Sequence, residues 1–192
     1  MTFDPLVVTV VAVAVVAVVA VVWAVRTFNR LVRQRNQVRA SWAQVDVQLK
    51  RRHDLVPNLV ETVKAYAGHE RTTLEAVLSA RAGALAAAVS PDVDQRARAE
   101  DQLGLGLGRL LALGEAYPNL KASQTFTQLQ AELAATEDRI AYARQFYNTA
   151  VQSLDNSVHS FPGLLVAAAA GIRPATYFQA SAAEQAAVAI RF

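Results

Sequence analysis

From Leu6 to Val25 the chain reads LVVTVVAVAVVAVVAVVWAV, 20 residues without a charge. A helix rising about 1.5 Å per residue covers about 30 Å over that length, the thickness of a bilayer's hydrocarbon core. The pattern therefore predicts a transmembrane helix over 6–25 behind a short N-terminal segment, 1–5. Beyond it the apolar positions recur at spacings of 3 and 4. Leu31, Val38, Trp42, Val45 and Leu49 predict a helix continuing to about Arg52. Asp54 then reads as an N-cap and Pro57 as a first-turn proline. They open a second helix whose inward stripe is Val56, Leu59, Val60, Val63, Ala67, Leu74, Val77 and Leu78. The same spacing crosses the junction, so one long helix kinked at Pro57 is the rival arrangement. Ser90-Pro91-Asp92 predicts the start of a third helix, with serine as N-cap and proline at N1, running to about Ala116 and ended by Pro118. Its inward positions include Leu103, Leu107, Leu110 and Leu111. The fourth pattern is the clearest: Phe126, Leu129, Leu133, Thr136, Ile140, Ala143, Tyr147, Ala150 and Leu154 hold a seven-residue repeat of the coiled-coil kind.

Four helices with short connections and one apolar stripe each have one economical arrangement. The expected fold is all-α: an N-terminal transmembrane helix followed by an antiparallel up-and-down four-helix bundle over 26–160. Past Asn156 the pattern loosens. Phe161-Pro162-Gly163 interrupts the helix, and Leu164–Ala170 is apolar but too short to cross a bilayer. Ser181 with Glu184 fits a capping box for a last short helix. Residues 161–192 are expected to form a tail that packs on the bundle or binds a partner.

Charge adds a direction to the span. Between 26 and 52 stand Arg26, Arg30, Arg33, Arg35, Arg39, Lys50, Arg51 and Arg52 against one acid, Asp46. Positive charge is retained on the cytoplasmic side. The reading is a single-pass protein of a bacterial inner membrane, N-terminus outside and C-terminal domain in the cytoplasm. Trp23, Arg26, Arg30 and Arg33 form the membrane-interface set, and lipids meet the chain through 6–25 and the basic segment 26–39. A cleaved signal peptide fits less well, because MTFDP carries no Lys or Arg and the apolar run exceeds the usual length of about 7–15 residues. The chain has no cysteine, which excludes disulfides, thiolate metal sites and cysteine nucleophiles.

No residue pattern carries recognisable catalysis. Gly104, Gly106 and Gly108 alternate with leucines but follow no strand, so they read as small residues that let one helix approach another rather than as a phosphate loop. His53, His69 and His159 lack the paired spacing of a zinc site, and no Glu-x-x-His pair marks a di-metal bundle. Buried carboxylates in bundles commonly pair with arginine, so Glu70, Arg81, Glu115, Glu137 and Arg144 are the candidate structural polar network. Arg51-Arg52-His53-Asp54 reads as a solvated turn or cap, with an anion or partner contact as the alternative. Tyr117 and Tyr147-Asn148 read as groups satisfying backbone carbonyls. No cofactor, metal, nucleic acid or small-molecule substrate is expected.

The segments RRHDLVPNLVETVKAYAGHE (51–70), LGRLLALGEAYPNLKAS (107–123), EDRIAYARQFYNTAVQSLDN (137–156) and FPGLLVA (161–167), with the ending AIRF, resemble the LemA family over about 26–192. The resemblance implies a small bacterial membrane protein with an up-and-down four-helix bundle, a short external N-terminus and a helix break near Arg52–Asp54. It implies no agreed molecular function and no catalytic residues. Members are associated with membrane stress and proteolysis systems, and relatives act in membrane organelle formation. The glycine-rich LGLGLG ahead of Arg109 departs from the family pattern and bears on the straightness of that helix. The expected function is a non-enzymatic membrane-anchored scaffold or adaptor that meets other membrane proteins or its own copies. The stripe on the fourth helix and the tail are its expected contact surfaces. An accessory or regulatory subunit of a membrane protease or stress-response system is the alternative. A carboxylate-based enzyme in the bundle core comes third.

Overall fold

A computed structural model describes residues 5–178, and every regular element in it is a helix. These are α1 (Pro5–Tyr66), α2 (Arg71–Ala87), α3 (Val93–Ala116), the single turn α4 (Pro118–Lys121), α5 (Gln124–His159) and α6 (Gly163–Ala170). The Ser181–Glu184 capping box and the AIRF ending lie outside the described residues. The chain divides into two compact units. Among the described residues, one comprises 5–40 with Thr149–Ala175, the other Ser41–Asn148 with 176–178. α1 and α5 each contribute to both.

The expected break at Arg52–Asp54 is absent, and the single long helix is the alternative realised: α1 is helical through Pro57. Proline has no N–H, so it withdraws the donor that would have reached the carbonyl four residues back, here that of His53. Arg81 of α2 supplies the replacement, its Nε donating to His53 O at 2.8 Å. With that carbonyl satisfied, the helix continues until Ala67-Gly68-His69-Glu70. There Gly68, a poor helix former, ends the run and Glu70 N turns back to Ala67 O at 3.0 Å. The inward stripe assigned to one helix is therefore split. Val56, Leu59, Val60, Val63 and Ala67 come from the α1 side of this turn, and Leu74 and Val77 from α2. Leu78 is exposed.

The third helix also starts later than expected. Asp92, not Ser90, is its N-cap, with Oδ1 accepting from the backbone N–H of Asp94 at 2.9 Å and Gln95 at 3.2 Å. Ser90 instead takes part in the approach, accepting from Asp92 N and donating to Gln95 Oε1. Pro118 ends α3 as expected and opens α4 at its first position.

In the second unit, Val56, Leu59, Val63, Leu74, Val77, Leu103, Leu107, Leu110, Leu120, Phe126 and Leu133 form one core drawn from α1 to α5. The seven-residue stripe of α5 is buried along its length, from Phe126 through Thr136 and Tyr147 to Leu154, with Leu129 half-buried. Its role as an exposed contact surface is therefore ruled out, because the apolar groups that would attract a partner already pack inside this chain.

The glycines of α3 divide by what surrounds them. A Cβ at Gly106 would rest 3.4 Å from Val77 Cγ2, so this position does let α3 approach α2. Gly104 and Gly108 face open space, and at Gly114 a Cβ would lie 2.7 Å from the Phe126 ring. Gly104→Ala should raise stability by about 0.5–1 kcal/mol, by removing glycine's excess unfolded-state entropy. Gly114→Ala should lower it by about 1–3 kcal/mol through overpacking against a buried ring. Urea midpoints of the full chain in mild detergent check the pair, and equal effects of the same sign would refute this account of the helix contacts.

Candidate functional site: a buried Arg–Glu–His cluster

Arg52 and His53 sit in the C-terminal part of α1 on its inward side and are 5% and 3% exposed, so the solvated turn expected at 51–54 is corrected. The apolar stripe of α1 carries them in, because Arg52 occupies the slot between Leu49 and Val56. Glu100 is carried in the same way on α3, between Ala97 and Leu103. The Arg52 guanidinium pairs with Glu100 Oε2 through Nη2, which also reaches Glu100 O at 3.3 Å. Its Nη1 spans both carboxylate oxygens of the half-exposed Glu137 on α5, at 3.0 and 3.1 Å. His53 Nε2 meets the remaining Glu100 oxygen, Oε1, at 2.8 Å. With Arg81 on the His53 carbonyl, α1, α2, α3 and α5 are tied at one level.

Charge and burial oppose each other here. Burial pulls the Arg52 pKa down, but the charges of Glu137 and Glu100 and their hydrogen bonds outweigh it, leaving the guanidinium above its ordinary value. Burial likewise pushes Glu100 up, and the His53 hydrogen bond with the Arg52 charge more than offsets it, so the carboxyl titrates below its ordinary value. Both Glu100 oxygens are engaged, whereas Arg52 Nε is buried with no acceptor among the described residues. Such an arrangement holds charges still. A general acid or base would need an oxygen open to a substrate, and this carboxylate presents none.

The five residues of the expected polar network are dispersed. Glu137 is in the cluster through Arg52, and Arg81 touches it through the His53 carbonyl. Glu70 accepts from the Tyr117 hydroxyl at 2.9 Å, which joins the GHE turn to the AYPNL segment. That hydrogen bond, aided by burial, raises the Tyr117 pKa. Glu115 makes an exposed pair with Lys121 at 2.6 Å. The Arg144 guanidinium lies 4.3 Å from the centre of the Phe178 ring. Glu100, Arg52 and His53 were missing from the expected set. Their signal was a charged residue standing in register with an apolar stripe.

A second polar–aromatic group joins Trp42, Asp46, Arg96, Tyr147, Asn148 and Phe178. Arg96 stacks 4.6 Å from the Trp42 ring centre while pairing with Asp46. Trp42 meets Tyr147 edge-on at 5.0 Å. As expected of tyrosine here, the Tyr147 hydroxyl satisfies a backbone carbonyl, that of Thr176, at 2.7 Å. The Asn148 side chain exchanges two hydrogen bonds of 2.9 Å with the Phe178 backbone, donating to its O and accepting from its N. Among the described residues no three His, Cys, Asp or Glu side chains are grouped to hold a metal ion.

The Pro57–Arg81 compensation gives a double-mutant test. Arg81→Ala should cost about 1–3 kcal/mol by orphaning the His53 carbonyl. In a Pro57→Ala background the restored N–H takes that carbonyl, so the same change should cost about 1 kcal/mol less. Additive costs in urea unfolding would refute the link.

Two known proteins from different bacteria align over most of the chain. Magnetosome protein MamQ 2 of Paramagnetospirillum magneticum is 26% identical over 175 residues, covering 79% of this chain and 64% of its own length. Protein LemA of Metamycoplasma hominis is 26% identical over 159 residues, covering 82% of this chain and 71% of its own. The chain thus spans just under two thirds of the MamQ relative. The LemA family profile matches residues 41–192, which take in α1 from Ser41, all of α2 to α6 and both polar groups described above. The chain belongs to the LemA family.

Proposed function

We propose that this protein is a non-enzymatic, single-pass membrane-anchored scaffold of a bacterial inner membrane. In this reading the N-terminus is outside, and residues 26–160 form an antiparallel four-helix bundle in the cytoplasm. The observation that carries the proposal is the state of the first 20 residues of α1 after Pro5. They are helical, uncharged and exposed side by side, with Val16 68% and Val18 63% accessible. A helix long and apolar enough to cross a membrane, whose apolar window is left unburied by the described residues, calls for lipid. Arg26, Arg30 and Arg33 follow on exposed positions, where the positive-inside rule puts them in the cytoplasm. The charged cluster supports a structural role for the rest, since both oxygens of its buried carboxylate, Glu100, are engaged by Arg52 and His53. The names of the relatives carry no reaction.

With the α5 stripe buried, the partner surface moves to the groove of about 520 Å³ between α1 and α5 lined by Val47, Gln48, Arg139 and Tyr142. Val47 and Tyr142 are 62% and 72% exposed there, an apolar pair with a polar rim. Crosslinking in native membranes, followed by purification in mild detergent, tests the scaffold reading. It expects specific complexes with membrane proteins or further copies, weakened by Val47→Lys with Tyr142→Glu. Isolated monomers throughout would defeat it, and one stoichiometric protease or signalling partner would turn it into the accessory-subunit reading.

A further inference from the structure

The interruption Phe161-Pro162-Gly163 and the first turn of α6 leave three large apolar side chains uncovered: Phe161 is 76% exposed, Leu164 49% and Leu165 60%. Their place in the first unit is set by α1. The Phe161 ring lies 5.9 Å from the ring of Trp23, tilted by 42°. Residues 160–163 share a small cleft with Thr27, Arg30 and Leu31. Further along, Gln34 Nε2 donates to Ser153 Oγ at 3.0 Å. The pairing of 34 with 153 and of 23 with 161 shows α5 running antiparallel to α1. Its end is thereby delivered to the last residues of the apolar run, Leu6–Val25. Gly171 and Ile172, at the other end of α6, line a groove with Arg35 and Arg39. The start of α6 is therefore its end nearer the span.

From this placement we infer that Phe161, Leu164 and Leu165 are a second membrane contact, an apolar wedge that enters the lipid headgroup–acyl boundary beside the span. The inference rests on reading 6–25 as a bilayer-crossing helix. The occupant is lipid rather than protein because the patch continues a surface already committed to lipid. Trp23, its immediate neighbour, stands where the apolar run ends, the depth that aromatic rings favour. Arg26 and Arg30, exposed on the next two turns of α1, suit the anionic headgroups that such a wedge would meet. α6 itself is apolar on all sides and only 8 residues long, too short to span and suited to lie at the boundary.

The chain has no cysteine, so single probes can be placed without background. Full-length Phe161→Cys, Leu165→Cys, Val16→Cys and Val89→Cys proteins, each carrying a nitrobenzoxadiazole label, are reconstituted in phosphatidylethanolamine–phosphatidylglycerol vesicles containing shallow or deep nitroxide lipids. Positions 161 and 165 should be quenched by the shallow lipid at least twofold more than by the deep one. Val16 should show the reverse order and the solvent-facing Val89 neither. If 161 and 165 behave like Val89 while Val16 is quenched, the span stands and the wedge is overturned. If Val16 is also unquenched, the span reading fails and takes the wedge with it. A label at 161 that is shielded only at high protein-to-lipid ratio, without quenching, assigns the patch to a second copy and overturns the lipid contact.

Discussion

Glu100→Leu should be among the most damaging single substitutions in the second unit, lowering stability by about 3–5 kcal/mol. Removing one member of a buried ion pair leaves the other charge desolvated and uncompensated. Here Arg52 would keep only the half-exposed Glu137, and His53 Nε2 would lose its oxygen. Arg52→Met added to Glu100→Leu should recover most of the loss, since apolar replacement of a whole buried pair is often neutral or better. The residue of the cost would lie with His53, whose unmet ring nitrogen is worth about 1–3 kcal/mol. The same pair sets an acid limit. Glu100 titrates below its ordinary 4.5 in the folded chain, so its ionised form contributes stability above that value. That contribution is lost as pH falls through the folded value. Urea midpoints between pH 6 and 3, in roughly half-unit steps, should therefore drop more steeply for the wild type than for the double variant. Parallel curves would remove Glu100 from the account.

The cluster also shows what the sequence could and could not disclose. The apolar stripes were legible because burial follows helical spacing: the α5 positions from Phe126 to Leu154 lie where the repeat puts them. The charged members were hidden by the ordinary rule that Arg, His and Glu face water. Read by register alone, Arg52 between Leu49 and Val56 and Glu100 between Ala97 and Leu103 are core positions. A charge on one stripe predicts an opposite charge on another. The LemA resemblance was right about family, but the break it implied at Arg52–Asp54 is not there. The reason is non-local: Pro57 costs α1 one hydrogen bond, and the donor that makes this tolerable, Arg81, is on another helix. The helix ends instead at Tyr66, just ahead of Gly68, 11 residues beyond Pro57. The cap of α3 was misplaced by two residues because Ser90 and Asp92 are both capping types, and only the side-chain geometry separates them.

Such buried pairs add little net stability compared with apolar packing, and their commoner use is to fix which helices meet and in what register. In this chain the ends of the cluster reach α1, α2, α3 and α5, so a helix slipped by one turn would strand a charge. The Arg52→Met/Glu100→Leu variant separates the two roles, retaining stability apart from the His53 cost while losing the penalty for misregistered packing. Broader side-chain NMR line shapes in that variant, at a urea midpoint lowered by no more than the His53 cost, would identify the cluster as a device for specificity.

Gly163→Ala should have the other large effect, confined to the first unit. A Cβ at this position would lie 1.8 Å from the carbonyl oxygen of Ser157, a backbone atom that cannot swing aside as a side-chain tip could. The FPG turn therefore cannot accept alanine without moving α6 away from the end of α5. The cost is capped by the free energy of that undocking, because the chain will release the contact before it bears the overlap. Undocking exposes Ala167 and Ile172, which are 2% and 6% accessible. Burial of an isoleucine is worth about 1.5–3 kcal/mol, so a loss of about 3 kcal/mol is expected for the two together. Hydrogen-exchange protection over 164–172 should fall about a hundredfold, at about 1.4 kcal/mol per factor of ten, while the core of α2 and α3 keeps its protection. Gly171→Ala is the control within the same element. Gly171 holds φ +63°, and alanine there costs about 1–2 kcal/mol in backbone strain but meets no atom. Equal losses at the two sites would show that backbone conformation, rather than the approach of Ser157, decides the turn. A larger loss at Gly163 makes that approach the contact holding Phe161 against Trp23, and with α6 released the ring pair should come apart.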